Sequence, residues 1–164
     1  MDVQTIRIED GREFALRELR PDDLDALRRA FRRLTPDEVE LRFMHLSREL
    51  PALVEDEMRT LDPARDAAFV LEDDIGIRAV ADLHATTPDA GQAEFGLIVG
   101  KAIAGHGLGS LLLQQLLAEA RRRGLALVGS VRRDNMRMLE LCRALGGAMT
   151  PTPDDATLME VRFA

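Results

Sequence analysis

The run Ala93-Glu94-Phe95-Gly96-Leu97-Ile98-Val99 leads, after a short spacer, into Ala104-Gly105-His106-Gly107-Leu108-Gly109-Ser110. The first stretch is apolar with a single acid and has the length of a strand. The second is rich in glycine and opens directly into Leu108, Leu111, Leu112, Leu116 and Ala120, which fall on one side of a helix. Arg121-Arg122-Arg123-Gly124 closes that helix, with cations and glycine where a C-terminus favours them. Upstream, Asp66 to Leu71 and Ile75 to Ala85 read as strands, with turns at Asp73-Asp74 and from Pro88 to Gly91. With Gln92 to Val99 they should form an antiparallel meander. Downstream, Leu125 to Val131 reads as a strand. Asp134 can cap a helix that buries Met138, Leu141, Cys142 and Leu145 and ends at Gly146-Gly147. After a turn with Pro151 and Pro153, Thr157 to Phe163 closes the order as a strand.

The N-terminal part supplies a strand at Glu13 to Leu19 and a helix from Pro21 with Leu24, Leu27, Phe31 and Leu34 on one face. Thr35-Pro36-Asp37-Glu38 has capping-box spacing, which predicts a short helix through Val39, Leu41 and Met44. A further helix follows Pro51, up to Asp62-Pro63. The whole order predicts one α+β domain over residues 1–164.

Composition narrows the function. Of 164 residues, 46% are hydrophobic and 31% charged, enough apolar material for one core. The net charge of -7 and pI near 5.0 argue against a nucleic-acid binder and modestly favour basic partners such as amines. One cysteine, Cys142, closes no intramolecular disulfide, and no His or Cys cluster has metal-ligand spacing. The acidic N-terminus lacks the marks of a signal peptide, and no stretch reaches the ~18 apolar residues of a membrane span. The expectation is a cytoplasmic protein with no metal, no membrane and no nucleic acid.

Glycines let a backbone approach a ligand, and successive amides at a helix N-terminus attract an anion, so residues 105–110 could hold a pyrophosphate or simply make a loop. Leu108-Gly109-Ser110 lacks the Gly-Lys-Ser/Thr entry of a Walker loop. Gly-x-Gly-x-Gly, set apart from its strand by a spacer, also lacks the spacing and the later acid of a Rossmann fingerprint.

The strand at residues 93–99, the loop at 104–109 and the leucine-rich helix resemble the acetyl-CoA-binding motif of the GNAT N-acetyltransferases, Gln/Arg-x-x-Gly-x-Gly/Ala. Asn135 to Gly146 is similar to the family's second coenzyme motif. Leu41-Arg42-Phe43-Met44, Ala93-Glu94-Phe95 and Gly129-Ser130-Val131 with Asp134-Asn135 look most like the GNAT domain of bacterial protein lysine acetyltransferases. The likeness runs from Arg17 to about Gly147. It implies a mixed central sheet, mostly antiparallel with a parallel splayed pair, flanked by helices. It also implies acetyl-CoA as cosubstrate, bound by Leu97, Ile98, Val99, Gly105, His106, Gly107, Leu108, Gly109, Ser110 and Asn135. The sequence departs from the pattern at Ala104, where Gln or Arg is usual, and at Gly147, where Phe is usual. Cys142 stands where many members carry a Tyr thought to protonate the leaving thiolate.

Acetyl transfer to an amine needs a base, because a lysine ammonium has a reference pKa of about 10.4. Glu94 is the candidate base; the alternative is a solvent-facing acid on an alternating strand. The resemblance assigns the thioester carbonyl to amides near Leu97 to Val99. Asn135 either bonds the pantetheine arm or caps its helix, and Cys142 is either a general acid or a small core residue. Asp82 and His84 are candidates to line the acceptor cleft or to form an exposed polar pair. His106 either touches phosphate or is a solvated loop residue. Arg121 to Arg123 read as a solvated helix end, and Phe31, Phe43 and Met44 as core. The leading acceptor is a protein lysine; the alternatives are a small amine such as a polyamine or amino-sugar, and a non-catalytic acyl-CoA-binding module. Monomer and homodimer both stay open.

Overall fold

The computed structural model describes residues 1–38, 52–85 and 91–164. One eight-stranded sheet runs through it. Its strands are β1 (Gln4–Arg7), β2 (Glu13–Glu18), β3 (Asp66–Glu72), β4 (Ile77–His84), β5 (Gln92–Val99), β6 (Ala126–Arg132), β7 (Ala148–Thr152) and β8 (Asp155–Phe163). They lie in the order β1-β2-β3-β4-β5-β6-β8-β7. Every neighbouring pair is antiparallel except β5 and β6. The four described α-helices are α1 (Leu24–Arg32), α2 (Ala52–Arg59), α3 (Leu108–Arg123) and α4 (Met136–Ala144).

Alternation along the strands divides the core into two layers. On one face Leu71, Ala81, Leu83, Ala93, Leu97 and Leu127 pack against Leu112, Leu113 and Leu116 of α3 and against Leu139 and Cys142 of α4. Each fully buried leucine of α3 contributes roughly 1.5–3 kcal/mol by leaving water. On the other face Val70, Ile77 and Val80 meet Leu27 of α1 and Met58 of α2. This second face carries the apolar-walled cleft described below.

The meander of β3, β4 and β5 forms as the sequence predicts, and the parallel pair is the one that the resemblance implies. Four features differ from the expectation. Strand β1 is short and mostly exposed, with only Ile6 turned inward, so its apolar signal is faint. Strand β7 forms where the prolines predict a turn; Pro151 is tolerated because β7 is the outermost strand. Asp134 does not cap α4. Its carboxylate pairs with Arg132 at 2.6 Å, and Asn135 Oδ1 accepts from the Met138 amide instead. The capping box at Thr35 and Glu38 does form, while the helix expected through Val39, Leu41 and Met44, with Phe43, lies outside the described residues. Arg122 and Arg123 are not merely solvated: both pair with Glu119, and hydrogen bonds from Arg122 and then Arg123 hold its carboxyl down to about 2.

The start of α1 is fixed to the sheet by charge. Arg17 of β2, 4% exposed, forks onto Glu72 at 2.7 and 2.8 Å and onto Asp23 at 2.7 and 3.0 Å. Hydrogen bonding to Arg17 outweighs burial at Glu72 and holds its carboxyl below the usual range. Burial acts upward on Asp23 as well, yet Arg17 and the Arg20 amide bring it below its ordinary value. Both carboxylates therefore stabilise the fold above their unfolded pKa near 4, and that contribution is lost as the pH falls through their lower folded values.

Two predictions follow from this packing. Arg17→Met should lower stability by about 3 kcal/mol at pH 7, because the buried Asp23 and the half-buried Glu72 lose their cation. The difference from wild type should shrink below pH 4, as the stranded carboxylates protonate; denaturant melts at both pH values check this. A Cβ on Gly129 would sit 2.7 Å from the Phe95 ring, so Gly129→Ala should cost about 1–3 kcal/mol, partly recovered by Phe95→Leu in the double variant.

Candidate active site

Parallel pairing between β5 and β6 is confined to Gln92, Ala93 and Glu94 opposite Ala126, Leu127 and Val128. Beyond it the strands part. The next residue on β5, Phe95, lays its ring over the bare Cα of Gly129 and meets Phe163 edge-on at 5.8 Å. Past this ring a cleft of about 460 Å³ opens between Gly96 to Val99 on one side and Ser130, Val131 and the start of α4 on the other.

The glycine loop forms the end of this cleft. Gly105 and Gly107 both have left-handed backbones, at φ 85° and 77°. Gly107 is the residue before α3, and the Leu111 amide closes back onto its carbonyl at 3.0 Å. The three preceding amides, of Leu108, Gly109 and Ser110, have no acceptor among the described residues, as helix geometry requires of a first turn. Together with the helix dipole they make an anion-binding end. Lys101 and Arg137, which the sequence reading did not single out, also border the cleft and add positive charge there. Neither carries a local motif, since only the fold brings residue 101 beside residue 137.

Of the residues expected to bind coenzyme, Leu97, Ile98, Val99, Gly105, Gly107, Leu108, Gly109, Ser110 and Asn135 all border this cleft. His106 does not. It faces outward, with Nε2 at 3.3 Å from the Arg12 guanidinium, which also donates to the Ala102 carbonyl. Ala104 borders the cleft without a side chain long enough to flank a ligand. Asn135 caps α4 and stands on the cleft wall.

A second cleft of about 540 Å³ lies on the opposite face of the sheet, under α1. Leu27, Phe31, Met58, Ile77 and Val80 give it apolar walls. Phe31 is thus core and cleft wall at once. Ile98, Lys101 and Glu38 border both clefts. Glu38 is buried at the junction: one carboxylate oxygen accepts from the Thr35 amide and the other from the Lys101 amide, each at 3.2 Å. The capping spacing was legible in the sequence, but the reach to Lys101 was not. Asp82 also lines this second cleft and is 4% exposed. Its Oδ1 lies 3.1 Å from His84 Nε2, and His84 Nδ1 lies 3.3 Å from Asp66. His84 therefore stands behind Asp82 rather than on the cleft wall.

The two proposed catalytic side chains sit differently from each other. Glu94 is exposed, on the same sheet face as Ile98, opposite His84, and borders neither cleft. Cys142 is fully buried in the α4 layer and likewise borders neither cleft. Burial pushes its thiol up to about 11, which makes it a weak proton donor. Its placement is that of a small core residue, the alternative the sequence left open.

Among the described residues no group of His, Cys, Asp and Glu is arranged to hold a metal ion, and no helix is long and apolar enough to cross a membrane. Known proteins share this architecture. The GNAT domain of S. lividans PAT superposes with a TM-score of 0.88 at 20% identity, covering 98% of this chain and 96% of that one. The structure of yncA from Salmonella typhimurium, which holds its cofactor acetyl-CoA, superposes with a TM-score of 0.70 at 18% identity, over 91% of each chain. Acetyltransferase PA5475 of Pseudomonas aeruginosa is 31% identical over 161 residues, spanning 96% of this chain and 87% of that protein. The acetyltransferase (GNAT) family pattern matches residues 24–146, and the chain belongs to that family.

Proposed function

We propose that the protein transfers an acetyl group from acetyl-CoA to a primary amine, with a protein lysine side chain as the leading acceptor, in the cytoplasm. The observation that carries this reading is the meeting of the two clefts at Ile98, one ending at free helix amides and the other walled by apolar side chains. The coenzyme's diphosphate would rest on the amides of residues 105–110, with Lys101 and Arg137 near its negative charge. Its pantetheine arm would follow Leu97 to Val99 and Asn135. Acetyl-CoA bound to yncA supports the same ligand for this cleft.

Glu94 is the proposed base, acting directly or through water, since its strand face is the one that carries the acceptor cleft. Backbone amides near Leu97 to Val99 would polarise the thioester carbonyl. Cys142 has no part in proton transfer in this scheme, and the leaving thiolate takes its proton from water or from the reacting amine. The lysine assignment rests on the sequence likeness at 41–44, 93–95, 129–131 and 134–135 and on the acidic charge. A small-molecule amine is the second reading, favoured by a 540 Å³ cleft within the ~300–1,000 Å³ range of small-ligand sites.

The test is coenzyme release from acetyl-CoA across lysine-bearing proteins, polyamines and amino-sugars, with mass spectrometry of the product. Release with proteins supports the first reading and release with small amines the second. Binding of acetyl-CoA without release on any amine would make the chain a binding module. Glu94→Gln should lower turnover about 100-fold with little change in acetyl-CoA affinity, whereas Cys142→Ala should keep the full rate. Unchanged turnover in Glu94→Gln removes it from the mechanism. Gly107→Ala strains a left-handed position by about 1–2 kcal/mol and should weaken acetyl-CoA binding at least about fivefold by calorimetry.

A further inference from the structure

Glu38 is the only acid among the described residues that borders the cleft at the glycine loop, and the inference that follows rests on reading that cleft as the coenzyme's. Acetyl-CoA is a polyanion, so a carboxylate in its wall repels it. Glu38 is also buried, where an ionised carboxylate is costly unless its oxygens are hydrogen-bonded. Two amides satisfy it. One oxygen accepts from the Thr35 amide of its own capping turn, and the other reaches across 63 positions of sequence to the Lys101 amide.

Lys101 opens a short turn, Lys101–Ile103, that joins the two parts of this cleft. Before the turn lies the end of β5, Leu97 to Val99, along which the pantetheine arm would run. After it lies the loop at 105–110, whose amides would take the diphosphate. Within the turn the Ile103 amide donates to the Gly100 carbonyl at 3.1 Å and the Ala104 amide to the Lys101 carbonyl at 3.2 Å. The Lys101 amide stands outside that ladder, as the first amide of a helical turn must, and Glu38 supplies its acceptor. Ile103, fully buried, fixes the far end of the turn in the core, and Arg12 donates to the Ala102 carbonyl at 3.1 Å from outside. The Arg12 contact is exposed and the Glu38 contact half-buried, which makes the carboxylate the stronger tie.

We propose that Glu38 is a positioning residue for the coenzyme: by holding the Lys101 amide it fixes the distance between the backbone that receives the pantetheine arm and the loop that receives the diphosphate. A ligand that spans two half-sites gains from both only when their separation matches its own length. The gain from that fixed separation outweighs the repulsion between Glu38 and the coenzyme's phosphates.

The test is calorimetry on the full chain with two probes. Acetyl-CoA spans both half-sites, whereas the coenzyme's nucleotide half, adenosine diphosphate with its ribose phosphate, reaches only the loop. Glu38→Gln, which keeps the size but offers one oxygen for two amides, should weaken acetyl-CoA binding about tenfold, the scale of one charge-assisted hydrogen bond. The nucleotide half should bind as tightly as to wild type, or more so because a repelling charge is gone. Loss of repulsion alone predicts the opposite sign for acetyl-CoA. Glu38→Asp keeps the charge and is one methylene too short to serve both amides, so it should show the same split between the probes. Thr35→Ala removes the hydroxyl that accepts from the Glu38 amide and leaves the Lys101 contact in place, so it should lower thermal stability without the split. Should Glu38→Gln fail to fold in a thermal melt, Glu38→Asp carries the comparison. Unchanged or tighter acetyl-CoA binding in the Glu38 variants, an equal loss for both probes, or a wild type that does not bind the nucleotide half overturns the proposal. Coenzyme release on an amine without the split overturns the proposal alone. The split without release on any amine defeats the acyl-transfer reading and leaves the role of Glu38 standing.

Discussion

The parallel contact between β5 and β6 ends after Glu94 and Val128, and the rest of the molecule is arranged around that early end. Continuous pairing would join the strands by backbone hydrogen bonds and leave no room between them. Phe95 and Gly129 accompany the parting: a large ring on one strand occupies the space that a side chain on the other would need. Both elements of the pair are otherwise well held, β5 by its long antiparallel register with β4 and β6 by its register with β8. The opening is therefore a fixed gap between two anchored strands, and α3, which joins them, brings its N-terminus to the mouth of that gap.

Charge around this gap is not the acidic average that the net figure of -7 suggests. Lys101 and Arg137 gather at the cleft that ends on the α3 amides. The second cleft mixes signs, with Asp82 beside Arg33 and Arg78, while Lys101 and Glu38 border both clefts and Glu94 lies outside them. Further from the gap, the Arg17 fork ties β2, β3 and the approach to α1 together, which sets the helix that roofs the second cleft. A polar network buried this deeply holds one arrangement because every donor of the fork finds an oxygen.

Elements whose patterns are local could be read without the fold. The meander from β3 to β5, the glycine loop, and α3 with its Gly124 stop each carry their own turn chemistry or helical spacing. Elements at the margins could not. β1 has almost no buried face, and the prolines of β7 resemble a turn until β8 is seen beside it. Asp134 and Asn135 are equally good caps by composition; the choice fell to Asn135 because Arg132, two residues back, engages the Asp134 carboxylate.

What the chain determines by itself is the strand–loop–helix unit, because glycine conformations, amide orientation at a helix start and apolar periodicity depend on near neighbours in sequence. From those alone comes the α+β plan, and the resemblance to the GNAT motif adds the expectation that the glycine loop holds a coenzyme. Tertiary structure alone decided which side chains meet at the gap. It placed Glu38 against the amide of Lys101, Gly96 beside Asp82, and Cys142 inside the core away from both clefts. Those placements join residues far apart along the chain, and they are set by sheet register and by which face of each strand is covered, quantities that exist only once the strands have paired.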